Sequence, residues 1–383
     1  MAQPIFYYVD HTSRFEHNSG IQRCVRLLAG ALIDFGQPLI PVVWDRSRSC
    51  FAQPTQKALS HLARWNGPAI DVWHPWRDPS ASPKGWLLIV ELVCGPRNPS
   101  AVQLRAAAPC LQLAWLFHDA IPWQQALRAG CPEAPGAVAH TKYMNAMALD
   151  AHVFCNSRTS RVDLICFLAE YGNHSLKGLT SRISPLPLAE NFPAPRLAAP
   201  SNKVSDPLCF LMVSTLEQRK NHLGLIKALA WLHSQGVQNW QLELIGWAAD
   251  PAIIDMLKRA RILGLPVKWF GGVSDERLRD AYANADICLY PSFQEGFGLP
   301  VAESLWHRRP CLCSNVGAIA ELAQSGGCLT VNTHRWQAIA VGLKQLLEKP
   351  QLREKLGQDL EQRCYRTWTD VAQELLSELT RAI

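Results

Sequence analysis

Ile287-Cys-Leu-Tyr-Pro-Ser-Phe-Gln-Glu295-Gly-Phe-Gly-Leu-Pro300-Val-Ala-Glu303-Ser-Leu305 decides the fold. Its apolar opening reads as a strand over Ile287–Tyr290, closed by Pro291. A Gly-containing loop follows, and Pro300 stands where a helix should begin, a position that tolerates a missing N–H. The backbone N–H groups of Gly296, Phe297, Gly298 and Leu299 are then placed to meet an anion at the helix N-terminus. Glu295 stands before that nest and Glu303 near the first helical turn, so two carboxylates flank it, ready to accept from hydroxyls. An ordinary acidic helix start, favoured by the helix dipole, explains the spacing equally well.

Outward from this stretch, short apolar runs alternate with helix-length amphipathic segments, the rhythm of parallel α/β architecture. Strands are expected at Ile5–Val9, Leu39–Val43, Trp86–Val90, Leu111–Phe117, His152–Asn156 and Ile183–Leu186. A second series covers Leu208–Val213, Gln241–Ile245, Val267–Phe270, Ile287–Tyr290, Pro310–Cys313 and Cys328–Thr330. Six prolines between Pro185 and Pro207 break the rhythm and favour an extended connection. The expected organisation is a first Rossmann-like domain over 1–190, a linker over 191–206, a second over 207–366 and a terminal helix over 367–383. At 383 residues and 48% apolar content, two such cores are affordable by length alone.

Composition narrows the function. The formal charge of +6 is scattered, without the basic stripe of a nucleic-acid protein, and suits anionic small molecules or an anionic membrane surface. Thirteen cysteines without paired CxxC motifs read as reduced thiols, and Cys311 and Cys313, alternating on one strand, lack a second pair for zinc. Neither a signal peptide nor an apolar run near 18–20 residues is visible, so a cytoplasmic location is expected, with membrane contact at most peripheral. Trp73, Trp76 and Trp123 could meet a membrane or a sugar as exposed patches, with core packing the default reading. No G-x-G-x-x-G follows a strand, which excludes the usual dinucleotide-binding oxidoreductase.

Other strand ends carry chemistry. Ser214-Thr-Leu-Glu-Gln-Arg219-Lys220-Asn-His222 follows the Leu208–Val213 run. Cations opening a helix oppose its dipole, so Arg219 and Lys220 call for another cause, and an anionic diphosphate is one. Trp269-Phe-Gly-Gly-Val273-Ser274-Asp275 reads as a strand, a turn and a capped helix. His17-Asn-Ser19-Gly20-Ile-Gln-Arg23 and Trp115-Leu-Phe-His118-Asp119-Ala-Ile-Pro122 occupy comparable junctions in the first half, as does Asn156-Ser157. Ser19 is equally readable as a simple N-cap.

Glu-Gly-Phe-Gly-Leu-Pro-Val-Ala-Glu over 295–303 resembles the hallmark of retaining glycosyltransferases of family 4, which have the GT-B fold. The Arg219-Lys220-Asn221 segment and the Gly-Gly-Val273 turn are similar to that family's motifs. The resemblance implies two doubly wound α/β domains facing a cleft and a nucleoside diphosphate sugar as donor. It implies that Glu295 contacts donor-sugar hydroxyls, Glu303 the ribose, and the amides of Gly296–Leu299, with Arg219 and Lys220, the diphosphate. Val273 would meet the base, Gly20 and Arg23 the phosphates and acceptor, and His118 would position the donor sugar. Some relatives carry a further Arg where Ser214 and Thr215 stand here, leaving Arg219 and Lys220 to act together. With no Asp-x-Asp in the chain, metal-independent transfer without a cofactor is expected. The Ser-Gly-Ile-Gln-Arg and His-Asp-Ala-Ile-Pro segments look like bacterial surface-polysaccharide enzymes, which points to mannose from GDP-mannose and a glycan or lipid-linked saccharide acceptor. A UDP-sugar donor, or a catalytically silent sugar-nucleotide-binding subunit, is the alternative.

Overall fold

The computed structural model describes residues 3–70, 78–81, 84–149, 151–172, 178–198 and 206–382. Contacts divide the chain into two units, one formed by Met1–Ala189 with Arg366–Ile383, the other by Glu190–Tyr365.

The first unit holds β1 (Ile5–Tyr8), β2 (Leu39–Asp45), β3 (Cys50–Ala52), β4 (Trp86–Ile89), β5 (Gln112–Phe117), β6 (Ala151–Cys155) and β7 (Ile183–Pro185). They order as β3-β2-β1-β4-β5-β6-β7. All neighbours are parallel except β3, which turns back against β2 with Trp44 opposite Phe51. This short edge strand was not expected, because Cys-Phe-Ala is too brief to show alternation. Pro185 is tolerated in β7 because that strand is an edge. The central strands are apolar on both faces, with Phe6, Leu87, Trp115 and Phe154 almost wholly buried, as a sheet covered on both sides requires. The closing helix Trp368–Arg381 packs on the helix Gly20–Asp34.

The second unit holds β8 (Leu208–Val213), β9 (Trp240–Ile245), β10 (Val267–Phe270), β11 (Ile287–Tyr290), β12 (Cys311–Ser314) and β13 (Cys328–Val331). Their order is β10-β9-β8-β11-β12-β13, parallel throughout. Strand order reverses between β8 and β11, so the loops leaving these two neighbours open a crevice at the carboxyl edge of the sheet. Both basic and acidic motifs lie on those two loops.

Part of the stretch expected as a linker is fastened to the second unit. Trp306 Nε1 donates to Ala194 O at 2.8 Å, Arg308 Nη1 to Leu197 O at 3.1 Å, and Arg309 Nη1 to Ala198 O at 3.2 Å. Prolines remove donors from this segment but leave its carbonyls, which the tryptophan and arginines take up. Arg363 and Glu190 add an ion pair of 2.7 Å. Trp123 is no surface patch: it is buried, edge-on to Phe167 and Tyr171. Trp73 and Trp76 lie outside the described residues.

Candidate functional site

The loop after β8 folds as a single 3-10 turn, Gln218–Lys220, ahead of the helix His222–Ser234. Arg219 and Lys220 therefore precede the helix and do not lie in its first turn. Asn221 separates them from it with a left-handed backbone, φ +60°. Its side-chain oxygen accepts from Gly224 N at 3.1 Å, while Nδ2 donates to Pro291 O at 3.2 Å and Thr333 O at 2.9 Å. A Cβ on Gly224 would stand 2.3 Å from that Asn221 oxygen, so the cap requires glycine there.

This turn aims both cations at Glu295. Lys220 Nζ donates to Glu295 Oε1 at 2.7 Å and to the Tyr290 hydroxyl at 2.7 Å. Arg219 Nη1 pairs with Glu295 Oε2 at 2.7 Å and donates to Gln294 O at 2.8 Å, while Nη2 reaches Glu217 at 2.7 Å. Ser292 Oγ and the Tyr290 hydroxyl also donate to Glu295 Oε1, at 2.7 and 3.0 Å. Ion pairs this dry need such extra hydrogen bonds to offset their desolvation.

The protonation states follow. Burial pushes the Glu295 carboxyl up, but Lys220 and Arg219 outweigh it and hold it below the usual carboxylate range. Burial draws Lys220 below the ordinary lysine range, with the Glu295 carboxylate pulling the other way. Burial and Glu295 raise the Tyr290 phenol, keeping it a protonated donor. The site is thus a charge-balanced cluster with two strong cationic donors at a sheet's carboxyl edge.

Beside it, Gly298 caps the helix Leu299–Trp306 in the left-handed region, φ +107°, with Pro300 in the first turn. A Cβ there would crowd Ile319 Cγ1 at 3.3 Å. Phe297 is buried, as are Gly296 and Gly298 on either side of it, while Leu299 is partly exposed. Glu303 lies further along this helix, where Tyr282 donates to its Oε2 at 3.3 Å. Val273 is half-buried in the loop after β10, and Ser274 caps the following helix by accepting from Arg277 N at 3.2 Å.

Sequence reasoning thus found Arg219, Lys220 and Glu295, which the fold brings into contact. It missed Tyr290, Ser292 and Asn221. A Tyr-Pro-Ser at a strand exit and an Asn three residues before a Gly were the available signals.

The remaining candidates belong to the first unit. Ser19 accepts from Gln22 N and Gln22 Oε1 accepts from Ser19 N, a capping box that starts the helix at Gly20. Arg26, fully buried, donates to Asn18 Oδ1 at 2.8 Å and fixes the same loop. His118 follows β5, and its Nε2 lies 2.7 Å from Val90 O. Burial lowers its pKa, the Val90 contact opposing, so the ring is neutral and its one N–H is spent on that carbonyl. With Nε2 engaged there, the neutral ring has Nδ1, an acceptor, left to offer. Asp119 accepts from Ile121 N at 3.0 Å, and Ser157 caps its helix by accepting from Ser160 N at 3.0 Å.

Three comparisons bear on this geometry. Residues 194–363 match the model of the family described as glycosyl transferases group 1. The O-antigen chain mannosyltransferase B of Escherichia coli is 34% identical over 146 residues, 38% of either chain. The serotype-specific mannosyltransferase WbdA of Escherichia coli is 31% identical over 118 residues, 30% of this chain and 14% of that protein. The matched stretches thus span well under half of these relatives. Among solved structures, sucrose-phosphate synthase from Thermosynechococcus elongatus superposes over 100% of both chains with a TM-score of 0.68 at 18% identity. At that identity the likeness carries the fold alone.

Proposed function

We propose that this chain, which belongs to the glycosyl transferases group 1 family and has the GT-B fold, moves a hexose from a nucleoside diphosphate sugar to a hydroxyl of a glycan or lipid-linked saccharide, with retention at the anomeric carbon. The observation that carries the reading is the meeting of Arg219 and Lys220 with Glu295 at the β8/β11 crevice. A departing nucleoside diphosphate gathers negative charge, and preorganised cationic donors stabilise that charge most when water is scarce. Phosphate oxygens would take over donors that Glu295 now occupies, and the Gly296–Leu299 amides would complete their cradle. Glu295, freed in part, accepts from donor-sugar hydroxyls, while Glu303 takes the ribose hydroxyls. Neither carboxylate is assigned a covalent role. The leaving phosphate would draw the acceptor proton in a front-face attack.

Mannose from GDP-mannose is the donor we favour, because the curated relatives above are named as mannosyltransferases. Transfer proceeds without a metal in this reading, the arginine and lysine supplying the positive charge. Peripheral contact at the inner face of a membrane is part of the same proposal. Among the described residues, no helix is long and apolar enough to cross one.

A calorimetric screen of GDP- and UDP-sugars, followed by transfer of radiolabelled sugar from the tightest binder, tests the reading. Labelled product with the donor's anomeric configuration, read by NMR, is expected, with GDP-mannose preferred. Tight nucleotide binding without transfer or hydrolysis of any donor overturns it in favour of a silent binding subunit.

A further inference from the structure

The helix Pro251–Ile262 of the second unit buries one stripe, Ile253, Leu257 and Ala260, in a core that includes Leu244 of β9 and Val267 of β10. It ends on Gly264, whose backbone is left-handed at φ +77°. Gly264 N donates to Arg261 O at 3.0 Å and Leu265 N to Ala260 O at 3.1 Å, so the end of the helix is fixed. On it stand Ile262, 84% exposed, and Leu263, 70% exposed. Among the described residues Ile262 is the most exposed large apolar side chain, and no other two such residues adjoin in the chain.

The helical period sets their neighbours. Two residues beyond Ala260 and five beyond Leu257, Ile262 falls on the face opposite the buried stripe. Lys258 and Arg259 lie four and three positions before Ile262, and Arg259 lies four before Leu263, so both cations adjoin the apolar pair. Arg261 precedes it directly, and all three cations are exposed. Lys258 has an equally exposed partner, Asp255 at 3.2 Å, while no ion pair among the described residues engages Arg259 or Arg261. The helix dipole gives the cations a reason to be there. It gives none for two aliphatic side chains standing in water beside them.

An apolar tip bordered by unpaired cations complements an anionic bilayer, with acyl chains to receive the tip and lipid headgroups to meet the charges. Protein interfaces centre on aromatic and arginine anchors within a broader apolar core. Two aliphatic residues inside a charged surround are too little for one. We propose that this helix end, Ile262 and Leu263 with Lys258, Arg259 and Arg261, seats the chain on an anionic lipid surface. The inference rests on the peripheral membrane contact proposed above, to which it gives a surface, and needs none of the transfer chemistry.

Flotation of the full chain with vesicles of phosphatidylcholine, and of phosphatidylcholine with about 30 mol% phosphatidylglycerol, tests the proposal. Binding to the anionic vesicles is expected, at least about tenfold tighter than to the neutral ones and weakened by salt. Ile262→Ser combined with Leu263→Ser should weaken it by about tenfold or more. Arg259→Gln and Arg261→Gln should each weaken it by about fivefold. All four side chains are exposed, so every variant should keep the parent's thermal midpoint and its calorimetric affinity for GDP. A parent that binds no GDP would fail the donor reading, and the vesicles would still decide this one. Failure to bind anionic vesicles overturns both the membrane contact and this surface. Binding untouched by the double substitution, or equal on neutral vesicles, overturns this surface alone. Self-association in sedimentation that the double substitution abolishes, without vesicle binding, overturns it in favour of a second copy of the chain.

Discussion

Lys220 and Glu295, 75 positions apart in sequence, meet at 2.7 Å because their loops leave neighbouring strands of a sheet whose order reverses between them. The pair joins what the sequence presents as two motifs, one basic and one acidic, into a single electrostatic object. Changing either residue therefore alters the other.

Lys220→Ala removes one of the two cations that the proposed function sets against the leaving diphosphate. Steady-state kinetics with labelled sugar nucleotide should show kcat/KM reduced by about 100-fold or more. Stability should fall by no more than about 3 kcal/mol, because Arg219 still neutralises Glu295. Unchanged kcat/KM would remove Lys220 from the site.

Glu295→Gln separates binding from transfer. The amide keeps the shape but releases Lys220 and Arg219 from their shared counter-charge, so calorimetry should show nucleoside diphosphate binding as tight as in the parent or tighter. Transfer should drop by at least about 10²-fold, since a sugar-positioning acceptor is weakened. A parallel loss of both would mean that Glu295 merely holds the turn together.

Gly298→Ala forces a left-handed backbone onto a residue with a Cβ, at a cost of about 1–2 kcal/mol. If the Gly296–Leu299 amides cradle the diphosphate as proposed, KM for the donor should rise several-fold with a smaller change in kcat. A donor KM equal to the parent's would show that these amides do not meet the phosphates.

Acid should destabilise the second unit through His222. Burial first, and Lys220 next, lower its pKa to about 4, against the opposing backbone contact with Glu217. The unfolded chain binds a proton near pH 6.5 and the folded chain does not. Stability is therefore full above the unfolded value and is lost as pH falls from about 6.5 to 4, on the order of 3 kcal/mol in total. His222→Gln should flatten that part of the pH dependence of urea unfolding; an unaltered slope would exclude His222 as its source.

Chelation should leave turnover intact. The chain has no Asp-x-Asp, and in the proposed function Arg219 and Lys220 supply the positive charge. Rates measured before and after EDTA are expected to agree, and a loss restored by magnesium would contradict the proposal.

The α/β class was legible because buried parallel strands read as short apolar runs, and Leu208–Val213, Val267–Phe270 and Ile287–Tyr290 have the ends read from sequence. Strand β3 was not, since three residues carry no period. Glu295, Arg219 and Lys220 were visible as charges at strand ends, where a charge needs a reason. Tyr290 and Ser292 were not, because a hydroxyl at the end of an apolar run looks like any core or turn residue until its partner is in place. The partner of His118 was hidden for a similar cause: only the fold brings its Nε2 within 2.7 Å of Val90 O, on a neighbouring strand's exit.

Asn221 has a consequence for engineering. Its one side chain fastens the β8 loop to backbone carbonyls on two others, Pro291 O and Thr333 O. Segment exchange with a relative of different donor preference would then fail if it carried over one loop alone, since the recipient would inherit a clasp without its catches. A functional chimera has to take all three loops as one cassette, and Asn221 marks its hinge pin.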